Sequence, residues 1–143
     1  MNDLIESLED FTWDNYKDIS DALMNYNEYQ IDNEMLRQAS VYSYYHGLMC
    51  AAKNDMNNLN TELTQFMSKL RKICKEESSV KLTAKDLDDL VFGDPHYGKK
   101  QAAVHQASFK YELLKGLVRA LEHKKDMIIQ VSANKREETK LYK

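Results

Sequence analysis

The sequence predicts an all-α chain: two long antiparallel helices forming a coiled-coil-like hairpin, short N-terminal and connector helices beside them, and assembly into oligomers. Three observations carry this. One proline and four glycines among 143 residues leave too little turn chemistry for a sheet. Apolar residues recur every seven positions through the first half of the chain and at three- and four-residue steps through the second. The second pattern is apolar over more of its circumference than one partner covers. A mean hydropathy of −0.67 suits long helices whose outer faces stay wet, and the length allows one domain with a real core.

The opening stretch places Leu4, Ile5, Leu8 and Phe11, then Trp13, Tyr16, Ile19 and Leu23, at helical spacing. This predicts two short helices with a break near Thr12–Asp14, in an acidic segment (1–30) preceding a hairpin body (31–143). From about Asp32 to Lys75 the heptad takes over. Met35, Tyr42, Met49, Met56, Leu63 and Leu70 fill one seam position; Gln38, Tyr45, Ala52, Leu59, Phe66 and Ile73 fill the other. Only Gln38 is polar, so one long helix is expected. Gly47 and "NDMNNLN" weaken it locally.

Thr83 with Asp86 forms a weaker variant of the capping box, opening a short helix through Leu90. Gly93 closes it, and Asp94-Pro95 supplies an N-cap and a first-turn proline. A second long helix then runs from Pro95 to about Glu138, with Val104, Ala107, Tyr111, Leu114, Val118, Leu121, Lys125 and Ile128 on its seam. Leu113, Leu117 and Val131 lie to one side and Ile129 to the other. That excess calls for the short helices, a neighbouring subunit, or both. Leu113, Leu114, Leu117, Val118, Leu121, Ile128 and Val131 are accordingly the candidate oligomerisation residues.

The formal net charge of −3 hides a polarity along the chain. Residues 1–40 carry ten acids and two bases, Lys17 and Arg37; from Pro95 onward there are 11 bases and five acids. A basic body permits an anionic partner despite the acidic total. Lys99, Lys110, Lys124 and Lys135 stand 11, 14 and 11 residues apart, within about 40° of one another around a helix. They either snorkel along the rim of the packing, as seam-bound Lys125 does, or, with Arg136, become a positively charged ring on assembly. Phosphate binding needs repeated cations of this kind.

A second cluster, Lys69, Arg71, Lys72 and Lys75, ends the first long helix, where the helix dipole alone asks for one or two cations. Lys81, Lys85, Lys99 and Lys100 extend it into one basic end. Tyr42 and Tyr45 belong to the seam; Tyr44 points elsewhere and is a candidate for stacking on a base, a contact worth ~1–3 kcal/mol.

Other chemistries find no footing. The histidines (His46, His96, His105, His123) lack metal-ligand spacing, no CxxC or HExxH occurs, and no glycine-rich nucleotide loop is present. Asp88 and Asp89 point to different sides of a helix. No enzyme, metal or cofactor is expected. Cys50 and Cys74 share one helix at a separation of roughly 36 Å, too far to pair, and are expected to be small buried hydrophobes. No apolar run approaches the ~20 residues of a membrane span. The N-terminus is acidic where a secretory signal is basic, so a cytoplasmic location is expected.

Two segments resemble a known family. "LRQASVYSYYHG" (Leu36 to Gly47) looks like the basic-then-aromatic stretch on the first long helix of UvsY-type phage recombination mediators. "KLTAKDLDDLVFGDPHYGKKQAAVHQASFKYELLKGLVRALEHKKDMIIQVSANKREE" is similar to that family's second half, with its D-M-x-x-Q-x-x-A-N-x-R-x-E-type ending. The resemblance covers roughly residues 32–138. It implies a ring-forming homo-oligomer, in a phage-infected host cell, that binds single-stranded DNA. Its partners would be a RecA-like recombinase and a single-strand-binding protein that the recombinase must displace. Of the family's basic first-helix stretch only Arg37 remains here, which moves the expected DNA contact toward Lys69–Lys75 and the Lys99 stripe. A structural or adaptor coiled coil, such as a phage assembly chaperone using its acidic segment as partner site, accounts for the same helices without DNA.

Overall fold

A computed structural model describes residues 5–142 of the chain. Four α-helices and two 3-10 turns make up its elements: a turn at Leu8–Asp10, α1 (Trp13–Met24), a turn at Glu28–Gln30, α2 (Ile31–Glu77), α3 (Ala84–Phe92) and α4 (Pro95–Leu141). There is no strand among the described residues. None of the described helices is long and apolar enough to cross a membrane.

The first of the two expected N-terminal helices is a single turn. The Asn15 side chain explains where it stops, accepting from Thr12 N at 2.9 Å while donating back to the Asp10 carbonyl. Those bonds end the upstream turn and start α1 at Trp13, the break the sequence predicts. Leu4, expected in the first helix, lies outside the described residues.

In α2 the buried line follows one seam position as far as Ala52 and crosses to the other at Leu63. Gln38, Tyr45, Ala52 and Leu63 are buried, whereas Met35 and Ile73 are 43% and 47% exposed. A straight helix drifts ~20° per heptad from a 3.5-residue repeat, so over nearly six heptads the buried line passes from one seam position to the other. Ile31, one heptad before Gln38, is buried too, and so is Val41, off the register. Cys50 is exposed and Cys74 half-buried, both free, so neither is the core hydrophobe expected.

The connector follows its local chemistry. Thr83 Oγ1 accepts from Asp86 N, and Asp86 Oδ2 accepts from Thr83 N, both at 3.1 Å. Thr83, through its backbone N–H foremost and its side chain second, holds the Asp86 carboxyl below its ordinary range. Gly93 N bonds Asp89 O at 3.1 Å to close α3; Asp94 Oδ1 then accepts from His96 N at 2.8 Å, and Pro95 opens α4.

The chain divides into two compact units: residues up to Ala51 together with those from Lys110 onward, and Ala52–Phe109. The described part of the acidic segment shares its unit with the start of α2 and with α4 from Lys110 onward. Phe11 and Leu23 are its buried anchors, in a core with Tyr45, Leu114, Leu117, Val118, Leu121 and Ile128. Burial of each anchor is worth about 1.5–3 kcal/mol. In the second unit Ala52, Leu63, Leu87 and Val91 are buried, and Arg71 pairs with Asp88 at 2.6 Å.

Candidate nucleic-acid interface

The lysine stripe of α4 is where the structure departs most from the sequence reading. Lys124 is 6% exposed. Its Nζ donates to Leu23 O at 2.6 Å and Asn25 O at 3.2 Å, and lies 3.4 Å from Glu34 Oε2. Leu23 and Asn25 end α1, so this cation satisfies carbonyls left open at that helix end. Burial lowers the Lys124 pKa from its ordinary value, and Glu34 partly restores it. Lys110 Nζ donates to Leu8 O at 2.9 Å. Lys135 donates to Glu28 O, with its Nζ 5.6 Å from the Tyr29 ring centre. Three cations expected to face a ligand instead hold main-chain carbonyls of the acidic segment.

Lys124 and Lys125 thus exchange their expected places. Lys125, assigned to the seam, is exposed, and Lys124 beneath it is buried. Because neighbours on a helix stand ~100° apart, the approach of α1 to one side of α4 decides which is covered. The candidate oligomerisation residues Leu114, Leu117, Val118, Leu121 and Ile128 are likewise buried within one chain, with Leu113 and Val131 half-buried. Of the partners the sequence allowed for this surface, the N-terminal segment is present in the same unit. Exposed apolar side chains there include Met35, Leu36, Met127 and Ile129. Met35 and Ile129 line a groove of about 620 Å³ with Tyr42, Glu122, Lys125 and Asp126.

The tyrosines sort differently. Tyr45 is wholly buried, and burial raises its pKa. Tyr42 donates to Glu122 Oε1 at 2.8 Å, a bond that raises its pKa. Tyr44 is half-buried and donates its hydroxyl to Ile5 O, so its polar end is engaged rather than offered to a base. Gln38, the polar seam residue, donates to Leu121 O at 3.2 Å. Arg37 lies 3.9 Å from Glu34.

The second unit treats its cations otherwise. Lys69, Lys72 and Lys75 on α2, Lys81 in the connector, Lys85 on α3 and Lys99 on α4 are all exposed. Arg71 is bound to Asp88, and the half-buried Lys100 lies over Phe66, 5.5 Å from its ring centre. Comparison with family models, curated proteins and solved structures gave no match.

Sequence reasoning overlooked Tyr29, 93% exposed, whose backbone N bonds the Asn27 side chain at 2.9 Å. Tyr29, Lys135, Arg136 and Lys140 border a groove of about 680 Å³. Asn27, a helix-capping residue type two positions upstream, was the signal available. Arg119, exposed on α4, and Lys115, 5.9 Å from the Tyr111 ring centre, were passed over because they fall outside the stripe.

Proposed function

We propose that the chain is a recombination mediator of the UvsY type, a non-enzymatic homo-oligomer that binds single-stranded DNA through its phosphates. In this role it helps a RecA-like recombinase load onto strands covered by single-strand-binding protein. The observation that carries the reading is the second unit's set of six exposed lysines: 69, 72, 75, 81, 85 and 99. Among the described residues none of the six is held by a carboxylate or a carbonyl. Free cations repeated along helices suit a phosphate backbone, and their number sets both affinity and its salt dependence.

Two finer features belong to the same reading. The long helices α2 and α4 pair antiparallel, supported in the first unit by the order of partners: Glu34 with Lys124, then Gln38 with Leu121. A second copy packs on the outer face of α4, where Glu122, Lys125 and Asp126 place both charge signs beside exposed Met127 and Ile129. Mixed charge of this kind is self-complementary across a two-fold axis. Assembly multiplies the basic ends and so the number of phosphates engaged.

Fluorescence anisotropy of a labelled oligo-dT, titrated at several salt concentrations, tests the proposal. The expected result is micromolar or tighter binding, with a log K against log[salt] slope of ~0.7 per neutralised phosphate. Lys72→Ala with Lys75→Ala and Lys85→Ala should flatten that slope by roughly 2 while leaving helicity intact. No binding by the parent chain at low salt would sink the DNA reading and favour an adaptor.

A further inference from the structure

The N-terminal segment covers its ground in an unusual way. Along α4, Lys110, Lys124 and Lys135 share one face over about 37 Å of helix. Each grips the segment by main-chain oxygens: Leu8, then Leu23 with Asn25, then Glu28. The carboxylates of Asp10, Asp14, Asp18 and Asp21 are exposed instead and pair with none of the three. Phe11 and Leu23 are the two side chains buried between residues 5 and 30.

We propose that residues 5–30 form a displaceable strap over a latent polyanion site on α4. Closed, the strap occupies Lys110, Lys124 and Lys135; displaced, it releases Lys110 and Lys135 to a phosphate chain and leaves Lys124 with Glu34 of α2. This deepens the DNA-binding reading and rests on it for the identity of the natural polyanion.

The chemistry favours exchange. A main-chain carbonyl offers lysine a dipole, whereas a phosphate oxygen offers a full opposite charge and the stronger bond. Few buried anchors place the strap among elements that open well before the whole fold. Its outward acids repel an approaching polyanion, so strap and polyanion oppose one another both sterically and electrostatically. Linkage then requires reciprocity: a ligand held back by the strap must loosen the strap when it binds.

The test uses the full chain, with oligo-dT and inorganic polyphosphate as probes. In the parent protein, saturating probe should accelerate amide hydrogen exchange across Trp13–Met24 at least tenfold; unchanged exchange with bound probe overturns the proposal. Leu23→Asp should free the segment, raise affinity about tenfold and steepen the salt slope by roughly 1.4, two phosphates at ~0.7 each. Should that variant fail to fold, Phe11→Ser with the parent-protein exchange measurement serves in its place. A freed segment with an unchanged slope, or a segment that stays protected in both variants, rejects the strap. If the parent binds neither probe but the variant binds both, the strap stands and the exposed lysines of the second unit lose their assigned role. If no form binds either probe, both proposals fall.

Discussion

The two units spend similar cations in opposite ways. In the unit built from the N-terminal segment, the start of α2 and α4 from Lys110 onward, Lys110, Lys124 and Lys135 are bonded to main-chain oxygens over a core that includes Phe11, Tyr45, Leu117 and Leu121, all without exposed surface. In Ala52–Phe109 the fully buried set is small, Ile73, Val80, Leu90 and Phe92 are 47–68% exposed, and the lysines stand in solvent. A cation beside main-chain carbonyls and a desolvating core is taken up by the fold for as long as that segment stays docked. One at the end of a thinly packed helix remains available to a ligand. Position along the sequence does not separate these cases; the local supply of acceptors does.

The largest effect should come from the core itself. Leu121→Ala is expected to cost ~2–5 kcal/mol, read from urea denaturation, whereas Leu59→Ala at a half-buried site of the second unit should cost about 1 kcal/mol. Equal losses would break the contrast in packing. Next in size, Lys124→Ala leaves the Leu23 and Asn25 carbonyls without their cation and Glu34 with Arg37 alone, at about 1–3 kcal/mol. Its neighbour Lys125→Ala should change stability by no more than ~0.5 kcal/mol.

The pH behaviour of Lys124 sharpens that pair. Burial depresses its folded pKa below the unfolded 10.5, so between the two values the unfolded chain binds more protons. The cost of burying the charge is present below the folded pKa and is relieved as pH rises toward 10.5. Relative to Lys124→Met, the parent should therefore gain stability across that window; a flat difference would mean the carbonyl bonds offset the desolvation. Smallest of all, Thr83→Ala should cost about 1 kcal/mol through the α3 cap. Because Asp86 is held below 3.8, its part of the cap is present above that pH and lost as pH falls through the folded value. Faster exchange of the α3 amides in acid would show it.

Much of the architecture was legible because it rests on neighbours in sequence. The Thr83–Asp86 box, the Asp94-Pro95 start and the heptads of α2 act within one or two turns, and the structure places α2, α3 and α4 within a few residues of where those signals put them. The N-terminal turn was misread as a helix because the Asn15 side chain bonds backward to Asp10, a choice that apolar spacing does not encode. Of the candidate interface, the exposure of Lys69, Lys72, Lys75, Lys81, Lys85 and Lys99 was legible, as they extend from helix ends and a connector. The fate of Lys110, Lys124 and Lys135 was not. Their spacing fixed a shared face correctly, and nothing local told what would cover it.

The sequence by itself therefore determined the helices, their breaks and the polarity of charge, since capping, propensity and periodicity are short-range. Only the tertiary structure decided which cations are spent. That depended on contacts more than eighty residues apart, between α4 and the carbonyls at the ends of short N-terminal elements. An ammonium group is drawn to whichever carbonyl oxygen with a lone pair to spare folding brings within reach.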